Sequence, residues 1–330
     1  MSLTSAQVLK RLHALIGNDL KQTNQIIIDK LDSQVDLIPT MGQHLIESGG
    51  KRLRPILLLV SARMFGFTGN NHALLAAVIE FIHTATLLHD DVVDMSSTRR
   101  GQETANTVWG PKAPVLVGDF LFSRSFQILV EHADLKVLKI VADACAIISE
   151  GEVLQLEVAN NLGTSEEKYL EVVTCKTATL FSAAAQVGGV VAGCSEEIQT
   201  RLHDYGIFLG KAYQVVDDAL DYSATQETLG KSIGDDFQEG KITLPVIHAY
   251  GNGTEEERKF WETCVQDRKQ EKDSLQRAIQ LIRERGSLDY AINKARHFAD
   301  QAIAALEPLP DGPEKEAMIM LADFSVDRSY

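Results

Sequence analysis

"HALLAAVIEFIHTATLLHDDVVD", His72 to Asp94, is the stretch that decides the fold. Its apolar residues recur at three- and four-residue spacing and cover most sides, as in a helix buried on nearly every face. It ends in Asp90, Asp91 and Asp94, and Arg99 and Arg100 follow in "SSTRRG". On a helix Asp90 and Asp94 stand at i and i+4, on one face. Like charges at that spacing destabilise a helix by roughly a few tenths of a kcal/mol. One such motif alone is therefore compatible with a solvated helix surface.

The same helical period runs outward in both directions. "NQIIIDKLDSQVDLIPTMGQHLI" carries mixed three and four spacing, and "PILLLVSARMFGF" is more apolar still. "LKVLKIVADACAIISEGEVLQLEVANN" reads as a helix of roughly seven turns. "SEEKYLEVVTCKTATLFSAAAQVGGVVAG" starts with Ser165 as N-cap and Glu166 and Glu167 in the first turn, and Ser195 repeats that start. No alternating strand longer than about four residues stands out. The expectation is an all-α chain of ten or more helices forming a single domain over residues 1–330. The longest loop, "SATQETLGKSIGDDFQEGKITLP", is a candidate functional segment.

Bulk composition narrows the function. Of 330 residues 45% are hydrophobic and only 8 are Pro, a globular composition. Lys and Arg number 32 against 46 Asp and Glu, a formal net charge of −14, which disfavours a general nucleic-acid binder. The four cysteines form no CxxC pair and fit no zinc ribbon, so they read as core residues in a reducing, cytoplasmic compartment. The N-terminus lacks a signal-peptide core, and no run of about 18 apolar residues suggests a membrane span.

The motif at Asp90 has a second copy. "YQVVDDALDY" holds Asp217, Asp218 and Asp221 in the same DDxxD arrangement, again closing an apolar helix. Carboxylates from two such motifs call for a hard cation, and Mg²⁺ shared with phosphate oxygens is the common solution. Bases accompany the acids. "GGKRLRP" places Lys51, Arg52 and Arg54 ahead of Pro55, which suits the first residue of a helix. Lys176 lies in the apolar "VVTCKTATLFSAAA" and needs an anion or carboxylate partner. Lys231 and Lys241 lie in the long loop. No Walker loop, GxGxxG, HExxH or GxSxG motif is present. Diphosphate chemistry without a nucleotide fold is the reading these residues support.

The motifs "GGKRLRP" (49–55), "DDVVDMSSTRRG" (90–101), "GDFLFSRSF" (118–126), "EGEVLQ" (150–155), "KTATLF" (176–181), "YQVVDDALD" (213–221) and "EGKITLP" (239–245) together resemble the trans-type isoprenyl diphosphate synthases, the polyprenyl synthetase family. The resemblance runs from about Ser48 to Tyr330, and is strongest to the long-chain bacterial branch of octaprenyl to decaprenyl synthases that make quinone side chains. It implies a helical bundle around a deep central cavity, a homodimer, and a mechanism using about three Mg²⁺ ions.

The same resemblance assigns residues. Asp90, Asp94 and Asp217 would carry an allylic diphosphate through metal, with Asp91, Asp218 and Asp221 in support. Arg99, Lys176, Lys231 and Lys241 match positions that hold its phosphates. Lys51, Arg54, His83 and Arg100 match those that hold isopentenyl diphosphate. Thr177 and Gln214 match polar groups facing the developing cation. Either the long loop or the C-terminal segment with Arg328 would close over the site. Ala85 and Thr86, about one turn before Asp90, would leave room for a growing tail where short-chain members carry aromatics. Phe126, Val130 or the Val141–Ile148 segment would supply a deeper floor. A terpene cyclase, a non-catalytic partner subunit and a helical phosphohydrolase are the rival readings. The tail's character suggests transient membrane contact on release.

Overall fold

The computed structural model describes residues 5–47, 50–99, 101–223 and 234–327. Its helices are α1 (Ser5–Lys30), α2 (Leu37–Glu47), α3 (Leu53–Met64), α4 (Asn71–Val93), α5 (Ala105–Trp109), α6 (Lys112–His132), α7 (Leu135–Val158) and α8 (Glu166–Val173). They continue with α9 (Thr179–Val191), α10 (Glu196–Leu220), α11 (Asp235–Glu239), α12 (Leu244–Gly251), α13 (Glu255–Trp261), α14 (Ser274–Glu284), α15 (Ser287–Leu306) and α16 (Pro313–Val326). Among the described residues the strands are a two-residue pair, β1 (Thr98–Arg99) and β2 (Gln102–Glu103), antiparallel with Arg99 opposite Gln102. The all-α expectation holds.

Contacts gather into two compact units. One comprises Met1–Cys145, Leu180–Gly206 and Ala305–Leu321; the other comprises Ala146–Thr179, Ile207–Ala304 and Ala322–Tyr330. In the first, α4 is the central helix and packs against α1, α3 and α6. Its inward residues from Ala73 to Ile82 are almost completely buried, as the apolar period requires. A polar knot ties three of these helices. Arg63 donates from Nε and Nη2 to Asp19 at 2.7 and 2.6 Å, and His72 Nε2 lies 3.3 Å from the same carboxylate. Burial pushes Asp19 up, but the bonds from Arg63 and His72 outweigh it and hold the carboxyl below its ordinary range. In the second unit Tyr169, Val173, Ala212, Val215, Val216 and Leu244 belong to one core cluster, and Trp261 and Phe237 belong to another.

Three local expectations change. The apolar run from Asn24 to Ile46 is two helices, broken after Lys30, with Ser33 Oγ accepting from Val35 N at 3.2 Å. Pro55 is the third residue of α3 rather than the first, because the helix begins at Leu53 behind Arg52, which adopts a left-handed φ of 49°. The sequence from Glu166 to Val191 is not one α-helix: a π-helical turn, Thr174–Ala178, separates α8 from α9.

The expectation that no segment spans a membrane is not overturned by two helices that reach the length and apolarity of a span. By length and composition, Asn71–Val93 and Lys112–His132 both qualify, although two thirds of the first is buried against protein, as a core helix would be. Cys145 and Cys264 are buried and Cys175 and Cys194 half-buried, all four with free thiols.

Candidate active site

Both DDxxD motifs sit where helices disfavour them. Asp90 and Asp91 occupy the last turn of α4, and Asp94 is its C-cap. Asp217 and Asp218 close α10, and Asp221 follows it. The C-terminal end of a helix carries partial negative charge, so acids there weaken the element that bears them. Neither motif is explained by helix stability.

In the first unit the three aspartates divide by helix phase. Asp90 and Asp94 are partly exposed, whereas Asp91 is buried. Arg99, carried on β1, folds back onto it: Nε and Nη2 both reach Asp91 Oδ1, at 2.8 and 2.7 Å. Burial raises the Asp91 carboxyl above its ordinary range; Arg99 opposes this, and the charges of Asp90 and Asp94 add to it. Arg99 therefore meets an aspartate of its own motif, not open solvent, because an unpaired buried carboxylate would be costly. The sequence placed Asp91 in support of the metal acids and Arg99 on phosphate; in the structure the two meet each other. Arg100 lies outside the described residues.

The "GGKRLRP" bases separate in the same way. Lys51 is exposed in the loop. Arg52 pairs with the buried Glu80 of α4. Arg54 lies over the Phe181 ring at 4.4 Å and within 3.0 Å of His83 Nε2. A guanidinium only donates, so that nitrogen of His83 accepts and the ring proton belongs on Nδ1. Arg54 and His83 are thus brought together.

The second unit holds a denser network. Asp218 is buried, with Tyr169 Oη donating to its Oδ2 at 2.6 Å and Gln214 Nε2 donating to its Oδ1 at 2.7 Å. Gln214 Oε1 in turn accepts from Thr177 Oγ1 at 2.9 Å. Burial first, then the charge of Asp236, push the Asp218 carboxyl up to about 7 against the two hydrogen bonds; Asp217 adds to the rise. Asp221 Oδ2 accepts from Asp236 N at 3.1 Å. Lys176 Nζ meets Glu152 Oε2 at 2.7 Å, the carboxylate partner its apolar setting demanded. Lys241 Nζ lies 2.5 Å from Glu239 and 3.9 Å from Asp236. Lys231 lies outside the described residues, as does the loop from 224 to 233.

Sequence reasoning missed Tyr169, Glu152 and Asp236. "SIGDD", with two acids just beyond the second motif, carried a signal for the last. The π turn that carries Lys176 and Thr177 was missed as well. Two glycines let neighbours approach it: a Cβ on Gly210 would lie 2.5 Å from Ala178 Cα, and one on Gly151 would lie 2.6 Å from Cys175 Cβ.

The chain-length candidates differ in exposure. Ala85 has no accessible surface, while Thr86 is half-buried with its hydroxyl donating to His83 O at 2.8 Å. Val130 is 72% exposed, which removes it as an internal floor in the isolated chain; Val141 and Ile148 lie on the buried face of α7.

Among the described residues no three carboxylate, imidazole or thiolate groups converge as a metal cage. The donors nevertheless fit Mg²⁺. It is held by one or two carboxylates, several waters and substrate phosphates more often than by an all-protein cage, and each motif offers hard oxygen donors of that kind.

Helix-borne aspartate motifs, with Arg99 fixed on Asp91 and Lys241 close to Asp236, mark a helical protein equipped to hold a polyanion. The chain belongs to the polyprenyl synthetase family, whose model matches residues 35–282. It is 46% identical over 320 residues to the octaprenyl diphosphate synthase of Escherichia coli (strain K12), covering 97% of this chain and 99% of that one. A polyprenyl synthase from Caulobacter crescentus, solved with calcium and isoprenyl diphosphate, superposes with a TM-score of 0.94 at 46% identity, covering 96% of this chain and 97% of that one. A decaprenyl diphosphate synthase from Rhodobacter capsulatus gives 0.93 at 46% identity, covering 97% and 99%.

Proposed function

We infer that this protein is a long-chain trans-polyprenyl diphosphate synthase, a prenyltransferase that adds isopentenyl diphosphate repeatedly to an allylic diphosphate such as farnesyl diphosphate. The observation that carries the reading is the near-full-length likeness to octaprenyl and decaprenyl synthases with both DDxxD motifs intact. The product lies in the octaprenyl to decaprenyl range and serves as a quinone side chain.

In each cycle the allylic C–O bond breaks and diphosphate leaves with the electron pair. The double bond of isopentenyl diphosphate attacks the allylic carbon. A proton is then lost, with the departed diphosphate as base, so no protein nucleophile is required. Mg²⁺, bound through Asp90, Asp94, Asp217 and Asp221, would neutralise charge on the leaving diphosphate. Lys176 and Lys241 meet the same charge directly. Lys51, Arg54 and His83 hold the diphosphate of the incoming unit. Thr177 and Gln214 turn polar oxygens toward the allylic cation. Asp218 and Asp91 act by holding other side chains.

The whole chain works as one synthase domain, as a homodimer, in the cytoplasm. Exposed Leu116 (68%), Val130 and Leu135 support a partner chain, since a subunit packed there would take this apolar surface out of water. Product release involves transient contact with a membrane.

The test is incubation with Mg²⁺, farnesyl diphosphate and labelled isopentenyl diphosphate, followed by product chromatography. Label in octaprenyl to decaprenyl products is the expected result. A geranylgeranyl-length product would move the enzyme to the short-chain branch, and release of inorganic phosphate without elongation would overturn the reading.

A further inference from the structure

A directed hydrogen-bond chain runs from Tyr169 through Asp218 and Gln214 to Thr177. The inference rests on the synthase reading above. Tyr169 is buried on α8, and its hydroxyl donates to Asp218 Oδ2 at 2.6 Å. Asp218 Oδ1 is 2.7 Å from Gln214 Nε2. Both Asp218 oxygens accept, one from Tyr169 and one from Gln214, so the amide nitrogen of Gln214 faces Asp218 and its oxygen faces away. That oxygen lies 2.9 Å from Thr177 Oγ1 and can only accept, so the threonine proton is committed to it. Thr177 is left with lone pairs and no proton to offer a further neighbour. A group of that kind stabilises positive charge, and one with a mobile proton does so less well.

Removal of the tyrosine hydroxyl would strip Asp218 of one of its two fixed donors. The carboxylate would then turn about its terminal torsion, which is broad. Gln214 would lose the constraint that sets which end of its amide meets Thr177. We propose that Tyr169 is a positioning residue for prenyl transfer, acting through Asp218 and Gln214 to keep the proton of the Thr177 hydroxyl turned away from the allylic cation and its lone pairs toward it.

The test is a double-mutant cycle on Tyr169→Phe and Gln214→Ala, read by binding and by turnover. Phenylalanine keeps the ring among Val173, Val215 and Val216, so folding is preserved and only the donor is lost. Binding is measured for an ammonium-bearing allylic diphosphate analogue and its neutral carbon isostere. In the wild-type background Tyr169→Phe should lower the cationic-over-neutral preference about tenfold, the scale of lost supporting hydrogen bonds elsewhere. The kcat should fall by a similar factor, with KM for both diphosphates within about twofold. In the Gln214→Ala background Tyr169→Phe should change neither quantity further. An unchanged preference in Tyr169→Phe overturns the proposal, and so does an equal loss in both backgrounds. Wild-type protein assayed in parallel separates the two inferences. Elongation by wild type with no effect of Tyr169→Phe overturns this one alone; no elongation by wild type overturns the synthase reading and this with it.

Discussion

Ala85 and Thr86 are neighbours in sequence and meet different surroundings. Helix phase turns Ala85 into the packed side of α4 with Leu88 and Ile82, all with no accessible surface. Thr86 is one turn before Asp90 on the part-exposed side, at the i−4 position. A phenylalanine at 86 replaces a side chain that is only half-buried. It should shorten the polyprenyl product toward farnesyl or geranylgeranyl length and leave Tm nearly unchanged. A phenylalanine at 85 must first displace packed neighbours, which costs about 1–3 kcal/mol. It should shorten the product too, but with Tm lowered by several degrees, about 2–4 °C per kcal/mol for a large domain. Product chromatography and thermal unfolding on both variants check this. Full-length product from Thr86→Phe would show that the tail runs elsewhere. Sequence placed both residues one turn below the motif correctly. It did not separate them, because phase within a helix apolar on most sides is decided by which neighbours surround it.

At the scale of the element, the π turn between α8 and α9 is the feature that local sequence conceals. Inserting one residue's worth of turn leaves the apolar period on either side intact, so Glu166 to Val191 reads as one helix. The informative signal lay on the partners, as glycines in otherwise good helices at Gly151 and Gly210. By helix propensity alone, Gly210→Ala should stabilise α10 by up to about 1 kcal/mol. Its new Cβ would instead meet Ala178 backbone at 2.5 Å, and backbone cannot swing aside as a side-chain tip does. Overpacking at about 1–3 kcal/mol wins. Tm should fall, and kcat should fall by more than tenfold as Lys176 and Thr177 are displaced, since small misplacement of a catalytic group can cost about 10²-fold. A Gly210→Ala enzyme with raised Tm and normal kcat would show that the turn yields without consequence. The rest of the element map was legible where caps carried it. Ser165, accepting from Lys168 N at 3.2 Å, starts α8 where the S-E-E pattern placed it.

For the whole molecule, the distribution of acids sets how metal, substrate and stability are linked. The twin DDxxD motifs were legible as sequence. Their internal division was not, because the arginine on Asp91 and the tyrosine on Asp218 come from residues whose contacts only the fold creates. With those two aspartates engaged, each motif keeps few oxygens for a cation, and among the described residues no cage of three acidic, imidazole or thiolate groups forms. On the proposed synthase reading, Mg²⁺ alone would find an incomplete shell, and diphosphate would supply the missing oxygens. Ligands stabilise the native state by RT ln(1 + [L]/Kd), about 2.7 kcal/mol at a hundredfold excess over Kd. Millimolar Mg²⁺ alone should shift Tm by no more than about 1 °C on that logic, and inorganic pyrophosphate with EDTA should do little more. The two together should raise Tm by about 5 °C or more. EDTA should abolish turnover while leaving the unliganded Tm in place, since the helical cores, not the metal, hold the fold. Thermal unfolding in the four conditions reads this directly. A large shift with Mg²⁺ alone would mean that a complete protein cage exists and that Asp91 or Asp218 leaves its present partner to join it.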